Sequence, residues 1–315
     1  MTKNASNANI AVIGAGHLGK LHAQKYAQLT NCKLIAIVDT NAKTAQSVAS
    51  LFGATALTDY SELLGNVDAV SIATPTLSHH AIAVDFLNHG SHVLIEKPIT
   101  RTVAEADQLI KLADSKNLLL QVGHLERFNA ALQALDTHLR HPTFIESHRL
   151  APFKPRSLDV NVVLDLMIHD IDIIMEIVDS EIKDLRVSGT HTLTSSTDIA
   201  NARLEFENGC VANVTASRVS ARSVRKMRIF QDDAYFSVDF DSNTLSIFKK
   251  GDEEMFPGIP KIIETRTCFE QNDPLYLEIA SFIDSIQNKS PISVTGVAGR
   301  RALDVALQIS RILGD

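Results

Sequence analysis

The chain has no tryptophan, only 4 tyrosines and only 3 cysteines in its 315 residues. So few large aromatic side chains with a polar group argue against an aromatic-rich recognition surface. Cys32, Cys210 and Cys268 lie far apart in the sequence, without zinc-ligand spacing and without the density of a disulfide framework. This pattern predicts no metal site and favours a reducing, cytoplasmic location.

The sequence also lacks the segments that would take the chain to or through a membrane. It contains no run of about 18 apolar residues, so we expect no transmembrane helix. Residues 1–9 are polar and lack the apolar stretch of a signal peptide, which predicts a short flexible leader. The formal net charge of -7 argues against general nucleic-acid binding, although a local basic patch is compatible with it.

The 315 residues are more than one compact domain usually needs, and the pattern of the sequence changes near residue 125. Before that point, apolar runs alternate with segments of helical spacing. Strands that are apolar on both faces and alternate with helices predict a parallel, doubly wound α/β sheet for residues 1–125. The predicted strands are 10–13, 33–38, 67–73, 92–95 and 118–122, and the predicted helices are 17–29, 44–52, 78–88 and 103–116.

Residues 126–315 show strand-like runs that follow one another, with Asn208-Gly209 as a hairpin turn signal. This pattern predicts an α+β domain with a large, mostly antiparallel open sheet. Because an open face would leave much apolar surface in water, we expect a homodimer or homotetramer formed through this sheet. The predicted strands are 144–150, 184–191, 199–206, 211–218, 224–230, 234–240 and 244–248; the predicted helices are 127–139, 160–178, 275–287 and 297–313, the last able to pack back toward the first domain.

A glycine fingerprint follows the first predicted strand, with Gly14, Gly16 and Gly19 in the pattern G-x-G-x-x-G and His17 and Leu18 completing the loop. Glycines here permit a tight turn, a close approach of the backbone to a pyrophosphate and close packing of helix on strand. The N-terminus of the following helix attracts the phosphate charge. The loop therefore predicts a dinucleotide-binding Rossmann domain, against the alternative of a chance glycine cluster in a turn.

Asp39 strengthens this prediction, because it ends the second predicted strand about 20 residues after Gly19. An acid at this distance binds the adenosine ribose hydroxyls and repels a 2′-phosphate. The sequence Thr40-Asn41-Ala42 supplies no arginine to reverse that preference, although Lys43 follows. We therefore expect NAD as the cofactor in preference to NADP; a simple turn residue is the alternative for Asp39.

Two further segments lie at the carboxyl ends of later predicted strands, where open α/β sheets bind ligands: residues 74–79 and Glu96-Lys97-Pro98. With the fingerprint, they make the chain resemble the glucose–fructose oxidoreductase / inositol dehydrogenase / MocA family. The resemblance covers essentially the whole chain, and residues 299–306 resemble the closing helix of the family. It implies an NAD(P)-dependent dehydrogenase that acts on the hydroxyl groups of sugars, inositols and related alcohols.

The resemblance also implies roles for catalytic residues. Lys97 would bind the reacting hydroxyl and pass protons, and a cis bond to Pro98 would aim it. His169 would be the general acid/base, since an imidazole titrates near neutral pH. Asp165, four residues before His169 on a predicted helix, would share its face and support the substrate.

The active-site segment departs from the family pattern D-x-G-x-H-x-x-D at one position. Met167 stands where the family has glycine, which we expect to narrow or reshape the floor of the pocket. Asp172, seven residues after Asp165, is expected to join the same face. Arg127, in the segment that joins the two domains of the family, is expected to orient the substrate.

Cofactor contacts beyond the glycine loop and Asp39 are implied for five positions. These are Thr74, Pro75, His79, Glu96 and Lys97. His79 matches a histidine that the family often has near the nicotinamide, but packing at the start of a helix is an alternative role. A metal site at Asp165 and His169 is not expected, because no further ligands have suitable spacing.

Two basic stretches suggest a charged substrate. The first contains Arg149, Lys154 and Arg156, which we expect to bind the pyrophosphate of a nucleotide sugar through paired donors. The second contains Arg218, Arg222, Arg225, Lys226 and Arg228, for which a solvated or subunit-contact face is an equal alternative. Residues 148–153 and 159–170, Met167 included, are most similar to one subgroup of the family, the UDP-N-acetylglucosamine 3-dehydrogenases of lipid A precursor modification.

The sequence as a whole predicts an enzyme that oxidises a secondary alcohol of a sugar by hydride transfer to NAD. The resemblance favours the C3 hydroxyl of UDP-N-acetylglucosamine. An inositol or simple-sugar dehydrogenase is the first alternative, and it would act without a nucleotide. A non-enzymatic, NAD-binding sugar sensor on the same fold is the second, although such a sensor has no need of Lys97 and His169.

Overall fold

A computed structural model of the chain describes residues 7–154, 160–270 and 272–315. The chain forms two compact units, Met1–Leu125 with Asp273–Leu303 and Glu126–Asn272 with Asp304–Asp315. In the described residues, no helix is both long and apolar enough to cross a lipid bilayer.

The first unit is built on a six-stranded parallel sheet with the strand order β3-β2-β1-β4-β5-β6. This order is that of doubly wound dinucleotide-binding folds, with the switch point between β1 and β4. The central strands are apolar and buried on both faces, as expected for a sheet covered by helices. The strands are β1 Ala8–Ile13, β2 Cys32–Val38, β3 Thr55–Leu57, β4 Ala69–Ile72, β5 His92–Glu96 and β6 Leu120–Gly123.

Four helices connect these strands: α1 His17–Gln28, α2 Ala42–Phe52, α3 Thr76–Asn88 and α4 Val103–Lys116. Their ends follow from local sequence. Asn41 caps α2 by accepting hydrogen bonds from the Lys43 and Thr44 amides, and Gly53 ends it with φ 68°. Thr102 begins α4 as part of a capping box with Glu105.

The second unit contains an eight-stranded sheet with the order β14-β13-β12-β11-β7-β10-β9-β8. Every neighbouring pair is antiparallel except β7 and β10, which run parallel. The sheet is therefore mostly antiparallel, which confirms the predicted fold class. The strands are β7 Phe144–Leu150, β8 Ile182–Thr190, β9 Ile199–Phe206, β10 Val211–Ser217, β11 Val224–Gln231, β12 Ala234–Asp239, β13 Thr244–Phe256 and β14 Ile259–Cys268.

The second unit also contains helices α5 Ala130–Leu135 and α6 Ile168–Val178. The predicted helix over 127–139 is wrong in extent, because a 3-10 turn at Leu125–Phe128 comes first and Asn129 caps α5 as a separate helix. The predicted helix over 160–178 is also shorter and irregular. It begins with a π turn at Val163–Met167 and continues as α6.

The C-terminal helices α7 Pro274–Asn288 and α8 Gly296–Leu313 require a correction of the predicted domains. The sequence analysis placed residues 273–303 in the second domain, whereas they belong to the first unit. The reason is the apolar face of α7, where Leu275, Ile279, Phe282 and Ile283 have i, i+4, i+7, i+8 spacing and join the core of β1, β2 and α1.

Three strands of the structure were under-predicted. β3 was missed because it has only 3 residues. The strand predicted at 244–248 extends to Phe256 and pairs with β14, which was also missed. This hairpin turns at Gly258, which has φ +77°, and its outer part is exposed on both sides, so the sequence there lacks the alternation of a half-buried strand.

Candidate active site

The glycine loop between β1 and α1 is tightly constrained at two of its three glycines. A side chain at Gly14, which has φ +96°, would place Cβ 2.6 Å from the Ala73 carbonyl oxygen. At Gly19, a Cβ would overlap the Gly14 carbonyl oxygen. Neither position tolerates a larger residue, because backbone atoms of the loop and of β4 fill the space.

Gly16 differs, since a Cβ built there meets no atom within 4 Å. Gly16, His17 and Leu18 are exposed at the start of α1. The open space therefore lies beside the positive end of a helix, where backbone amides can bind a pyrophosphate. The loop fits the dinucleotide that the sequence predicts.

The Asp39 carboxylate is fixed at the edge of this loop. Its two oxygens accept hydrogen bonds from the Ala15 and Asn41 amides, each at 2.9 Å. The first bond joins the end of β2 to the glycine loop. Each oxygen can accept further hydrogen bonds, so the side chain fits the predicted contact with ribose hydroxyls.

The segments after β4 and β5 are joined by His79. Its ring is buried, with Nδ1 3.0 Å from the Pro98 carbonyl oxygen and Nε2 2.9 Å from the Thr74 carbonyl oxygen. Burial lowers the pKa of His79, although both carbonyls and the charge of Glu96 favour the protonated ring. Both ring nitrogens of His79 therefore lie at backbone carbonyls of the first unit, which fits the packing alternative, and a contact with the nicotinamide stays a prediction.

Thr74 and Pro75 lie where the glycine loop approaches the end of β4. The Thr74 amide nitrogen would be 2.9 Å from a Cβ at Gly14, so the two loops are in close contact. Pro75 precedes α3 as its N-cap and is exposed. These two residues border the predicted cofactor site of the first unit.

Lys97 follows β5 and is half-buried, and its bond to Pro98 is cis, as predicted. Glu96 is buried, with Oε1 2.8 Å from His22 Nε2 and Oε2 accepting a hydrogen bond from the Lys97 amide at 3.3 Å. The Glu96 carboxylate is therefore held inside the unit, and its contact with the cofactor stays a prediction. His22 was missed, although it lies three residues after Gly19 on the sheet-facing side of α1.

In the second unit, Asp165 lies on the π turn and His169 in the first turn of α6, and both are half-buried. Turns of this kind are rare and occur frequently at functional sites. Met167 is completely buried, so it packs in the core of the unit, and its effect on the shape of the pocket stays a prediction.

Arg127 does not present its charge to solvent. It forms a bidentate pair with Asp172, with Nε to Oδ2 at 2.6 Å and Nη2 to Oδ1 at 2.9 Å, and its Nη1 lies 3.1 Å from Glu176 Oε1. These carboxylates together hold its three nitrogens, and its role in orienting substrate stays a prediction. Asp172 is buried in this pair, whereas Asp165 and His169 are half-buried.

Arg149 is likewise an internal residue. It is 3% exposed and donates to Asp170 at 2.6 Å and to Glu126 at 2.7 Å. Burial opposes its charge, but the two carboxylates raise its pKa above the ordinary value. The predicted contact of Arg149 with substrate phosphate stays a prediction, which these internal pairs do not support. Lys154 is exposed, and Arg156 lies outside the described residues.

The second basic stretch does not form one patch. Arg218 is buried and bonds Asp198 at 2.8 Å, and Arg228 bonds Glu146 at 2.7 Å. Lys226 and Arg228 alternate with buried Met227 and Ile229, so they lie on the face of the sheet opposite to the core. Arg222 is exposed, and the Arg225 side chain is 46% exposed with carboxylate contacts no shorter than 3.5 Å.

Comparison with known proteins identifies the family. Residues 8–124 match the model of an oxidoreductase family with an NAD-binding Rossmann fold, and residues 132–237 match the GFO/IDH/MocA C-terminal domain. The chain belongs to the GFO/IDH/MocA oxidoreductase family.

Individual relatives of this GFO/IDH/MocA protein extend over almost its whole length. A UDP-N-acetylglucosamine 3-dehydrogenase from Acidithiobacillus ferrooxidans is 44% identical over 299 residues, 95% of each chain. A solved structure of a UDP-N-acetylglucosamine 3-dehydrogenase from that organism has a TM-score of 0.91 at 41% identity and covers 98% of both chains. A scyllo-inositol dehydrogenase from Lactobacillus casei with bound NAD(H) shares the fold, with a TM-score of 0.81 at 21% identity over 98% of this chain and 97% of that chain.

These matches confirm the predicted family, the predicted enzyme class and NAD as the cofactor. When bound, NAD accepts a hydride from a carbinol carbon. Gly14, Gly16, Gly19 and Asp39 are the residues of the GFO/IDH/MocA protein whose geometry fits this cofactor. In the described residues, no group of three or more His, Cys, Asp or Glu side chains is arranged to hold a metal ion.

Proposed function

We propose that this protein oxidises the C3 hydroxyl of UDP-N-acetylglucosamine, with NAD as hydride acceptor. The observation that carries the proposal is the 44% identity to a UDP-N-acetylglucosamine 3-dehydrogenase over 95% of both chains. A reaction of this kind supplies a 3-keto sugar for amination, and we assign it to lipid A precursor modification.

The proposed chemistry divides between three side chains. His169 takes the hydroxyl proton as the hydride leaves the same carbinol carbon, and the alcohol becomes a ketone. Lys97 donates a hydrogen bond to the reacting oxygen and thereby stabilises negative charge on it. Asp165 accepts a hydrogen bond from the sugar. The half-buried positions of all three support these roles, because each side chain is both supported by the fold and accessible.

The test is a substrate panel followed by NADH absorbance, with UDP-N-acetylglucosamine, UDP-glucose and myo-inositol. We expect turnover of UDP-N-acetylglucosamine, and we expect Lys97→Ala and His169→Ala each to lower kcat by about 100-fold or more. NAD binding, measured by titration, should survive in both variants. Lys116→Ala and His191→Ala, at exposed positions, are matched controls with normal kcat. Near-normal turnover in both active-site variants would contradict the assignment.

A simple-sugar or inositol dehydrogenase is the second candidate, and one observation favours it. Arg149 and Arg218, which belong to the two basic stretches considered for a pyrophosphate, have carboxylate partners within the second unit and so do not support a nucleotide substrate. Turnover of myo-inositol in the panel, without turnover of either UDP-sugar, would establish this candidate in place of the first. The sensor alternative is not carried forward, because the family is one of oxidoreductases.

We infer that the protein is a homodimer or homotetramer formed through the open face of the eight-stranded sheet. An aromatic ladder on this face supports the proposal: Tyr235 stacks on Phe230 with ring centroids 4.6 Å apart and on Phe248 at 4.9 Å. The β13–β14 hairpin adds large exposed apolar side chains, namely Met255, Phe256, Ile259, Ile262 and Ile263.

We also propose a cytoplasmic location, for which the three free cysteines are suited.

A further inference from the structure

A hydrogen-bonded network of buried polar side chains lies next to Lys97 in the first unit. His22 on α1 and Ser71 on β4 are 0% exposed, and Glu96 at the end of β5 is 4% exposed. His22 Nδ1 is 2.7 Å from Ser71 Oγ, and His22 Nε2 is 2.8 Å from Glu96 Oε1. The network ends at the main chain of Lys97, whose amide donates a hydrogen bond to Glu96 Oε2 at 3.3 Å.

The chemistry of Glu96 fixes the direction of these hydrogen bonds. Burial opposes its ionisation, but the hydrogen bond and charge of His22, the charge of Lys97 and the Lys97 amide together hold the pKa of Glu96 below its ordinary value. An ionised carboxylate only accepts, so His22 Nε2 donates to it. Ser71 then holds the other ring nitrogen, and the imidazole cannot rotate without losing a buried hydrogen bond.

The space around Glu96 is also restricted. Gly123 pairs with Glu96 across β5 and β6, and a Cβ at Gly123 would lie 3.0 Å from Oε2 and 3.1 Å from Oε1. The carboxylate therefore bonds His22 and lies close to the bare backbone of β6, where any side chain at position 123 would crowd it.

We propose that Glu96, held by His22 and Ser71, is a positioning residue for Lys97. It fixes the main chain at the point where Lys97 begins and keeps one negative charge beside the lysine ammonium group. Burying a charge and a histidine is costly unless both are paired, and an apolar pair of similar volume would pack at lower cost. This inference rests on the proposed role of Lys97 as hydrogen-bond donor to the reacting oxygen.

The proposal has a consequence for pH dependence. Because the Lys97 charge favours ionised Glu96, ionised Glu96 must favour protonated Lys97 by the same free energy. Two histidines interact with this carboxylate: His22 forms a hydrogen bond with it, and His79 lies within reach of its negative charge. Neutralising Glu96 while both histidines remain should therefore shift the titration of Lys97 to lower pH.

The main experiment compares Glu96→Gln with the wild-type protein in two measurements. In cofactor-free protein, reductive ¹³C-methylation of lysines allows the Lys97 signal, assigned with Lys97→Arg, to be titrated by NMR. We expect its midpoint to fall to lower pH in Glu96→Gln. In the NAD-loaded enzyme, we expect kcat to fall about tenfold or more, with the Kd of NAD within about threefold of wild type.

A matched pair of serine variants separates positioning from simple loss of a buried hydrogen bond. Ser71→Ala removes the partner of His22, whereas Ser91→Ala removes a bond of 2.8 Å to the Val67 carbonyl at the opposite end of β5. Both serines are 0% exposed, so similar losses of melting temperature are expected. Only Ser71→Ala should lower kcat. His22→Gln, which keeps a donor toward Glu96, should retain more activity than His22→Leu.

Unchanged kcat and an unchanged Lys97 titration in folded Glu96→Gln would overturn the proposal. If Glu96→Gln does not fold, unchanged kcat and an unchanged Lys97 titration in Ser71→Ala would overturn the proposal instead. Failure of this inference alone would appear as an inactive Lys97→Ala beside a fully active Glu96→Gln. An active Lys97→Ala would instead remove the proposed role of Lys97, and the positioning role with it.

Discussion

Three arginine side chains balance buried carboxylates in the second unit. Arg149 pairs with Asp170 and Glu126, Arg127 with Asp172, and Arg218 with Asp198. Arginine suits these positions because its planar donors can serve two acceptors at once and its charge is never lost. A lysine substitution at any of the three would leave a buried carboxylate short of donors.

Asp39 allows a direct test of cofactor choice at the scale of one residue. We expect Asp39→Asn to weaken NAD binding by about 1.5–3 kcal/mol, because hydrogen bonds to a charged group are lost. Binding of NADP should weaken less or improve, since the repulsion of its 2′-phosphate is removed. Fluorescence titration with both cofactors gives the two Kd values.

The matched control for Asp39→Asn is Asp59→Asn, an exposed acid of the same unit that caps a 3-10 turn. It should leave the Kd ratio of NAD to NADP unchanged. An Asp39→Asn protein with the wild-type ratio would show that the carboxylate does not select the cofactor.

The segment that carries Asp165 and His169 is held from several elements. Arg149 ties Asp170 of α6 to β7, and Arg127 ties Asp172 of α6 to the 3-10 turn before α5. Arg218 of the β10 end donates to the Val160 carbonyl just before the π turn. A π turn is a weak helix form, so such external ties are what keep its side chains in one arrangement.

The pair of Asp198 and Arg218 can be tested through the pH dependence of the protein's stability. Burial opposes the charge of Asp198, but the amides of Leu193, Thr194 and Thr192 and the Thr194 hydroxyl lower the pKa of Asp198 far below its ordinary value. Its contribution to stability is therefore complete above about pH 4, the ordinary value for aspartate, and is lost as the pH falls below that.

We expect Asp198→Asn to lower the free energy of unfolding by about 3–5 kcal/mol at pH 7, because Arg218 loses its buried partner. Urea unfolding at several pH values should show the difference from wild type narrowing below about pH 4. Asp184→Asn, which removes an exposed pair with Arg186, should cost less than about 1 kcal/mol. A difference that stays constant down to pH 3 would contradict this account of Asp198.

The whole molecule consists of two units whose chain crosses between them more than once. The chain leaves the first unit after Leu125, returns at Asp273 and passes into the second unit again after Leu303, within α8. Each unit therefore depends on segments distant in sequence. A protein cut at residue 125 would lose α7 from the core of its first unit, so its two halves are not independent folding fragments.

The assembly of several copies of the protein is the prediction to test for the whole molecule. Wild-type protein should sediment as a dimer or tetramer of the 34.4 kDa chain. Tyr235→Lys should shift it toward monomer, since a charge would replace the centre of the aromatic ladder on the open face. Leu51→Lys, at an exposed apolar position on α2, is the control that should leave the mass of the assembly in sedimentation unchanged. A monomeric wild-type protein would contradict the inferred assembly.

Much of the fold follows from spacing along the chain. The alternation of apolar runs and helices predicts the parallel sheet, and the glycine loop and Asp39 predict the nucleotide site, because each signal depends on residues close in sequence. Lys97, Asp165 and His169 came from the resemblance of short segments to the family. The extended hairpin of β13 and β14 escaped prediction because neither of its faces is buried along its outer part.

The partners of the buried charges could not be read from the sequence in the same way. Arg149 and Asp170 are 21 positions apart, Arg127 and Asp172 are 45 apart, and His22 and Glu96 are 74 apart. Composition and local pattern therefore account for which segments become strands, helices and loops. Only the packing of distant elements decides which arginine pairs with which acid, because charge pairing is set by distance in space. The same packing places Glu96 where it supports Lys97 from inside the unit.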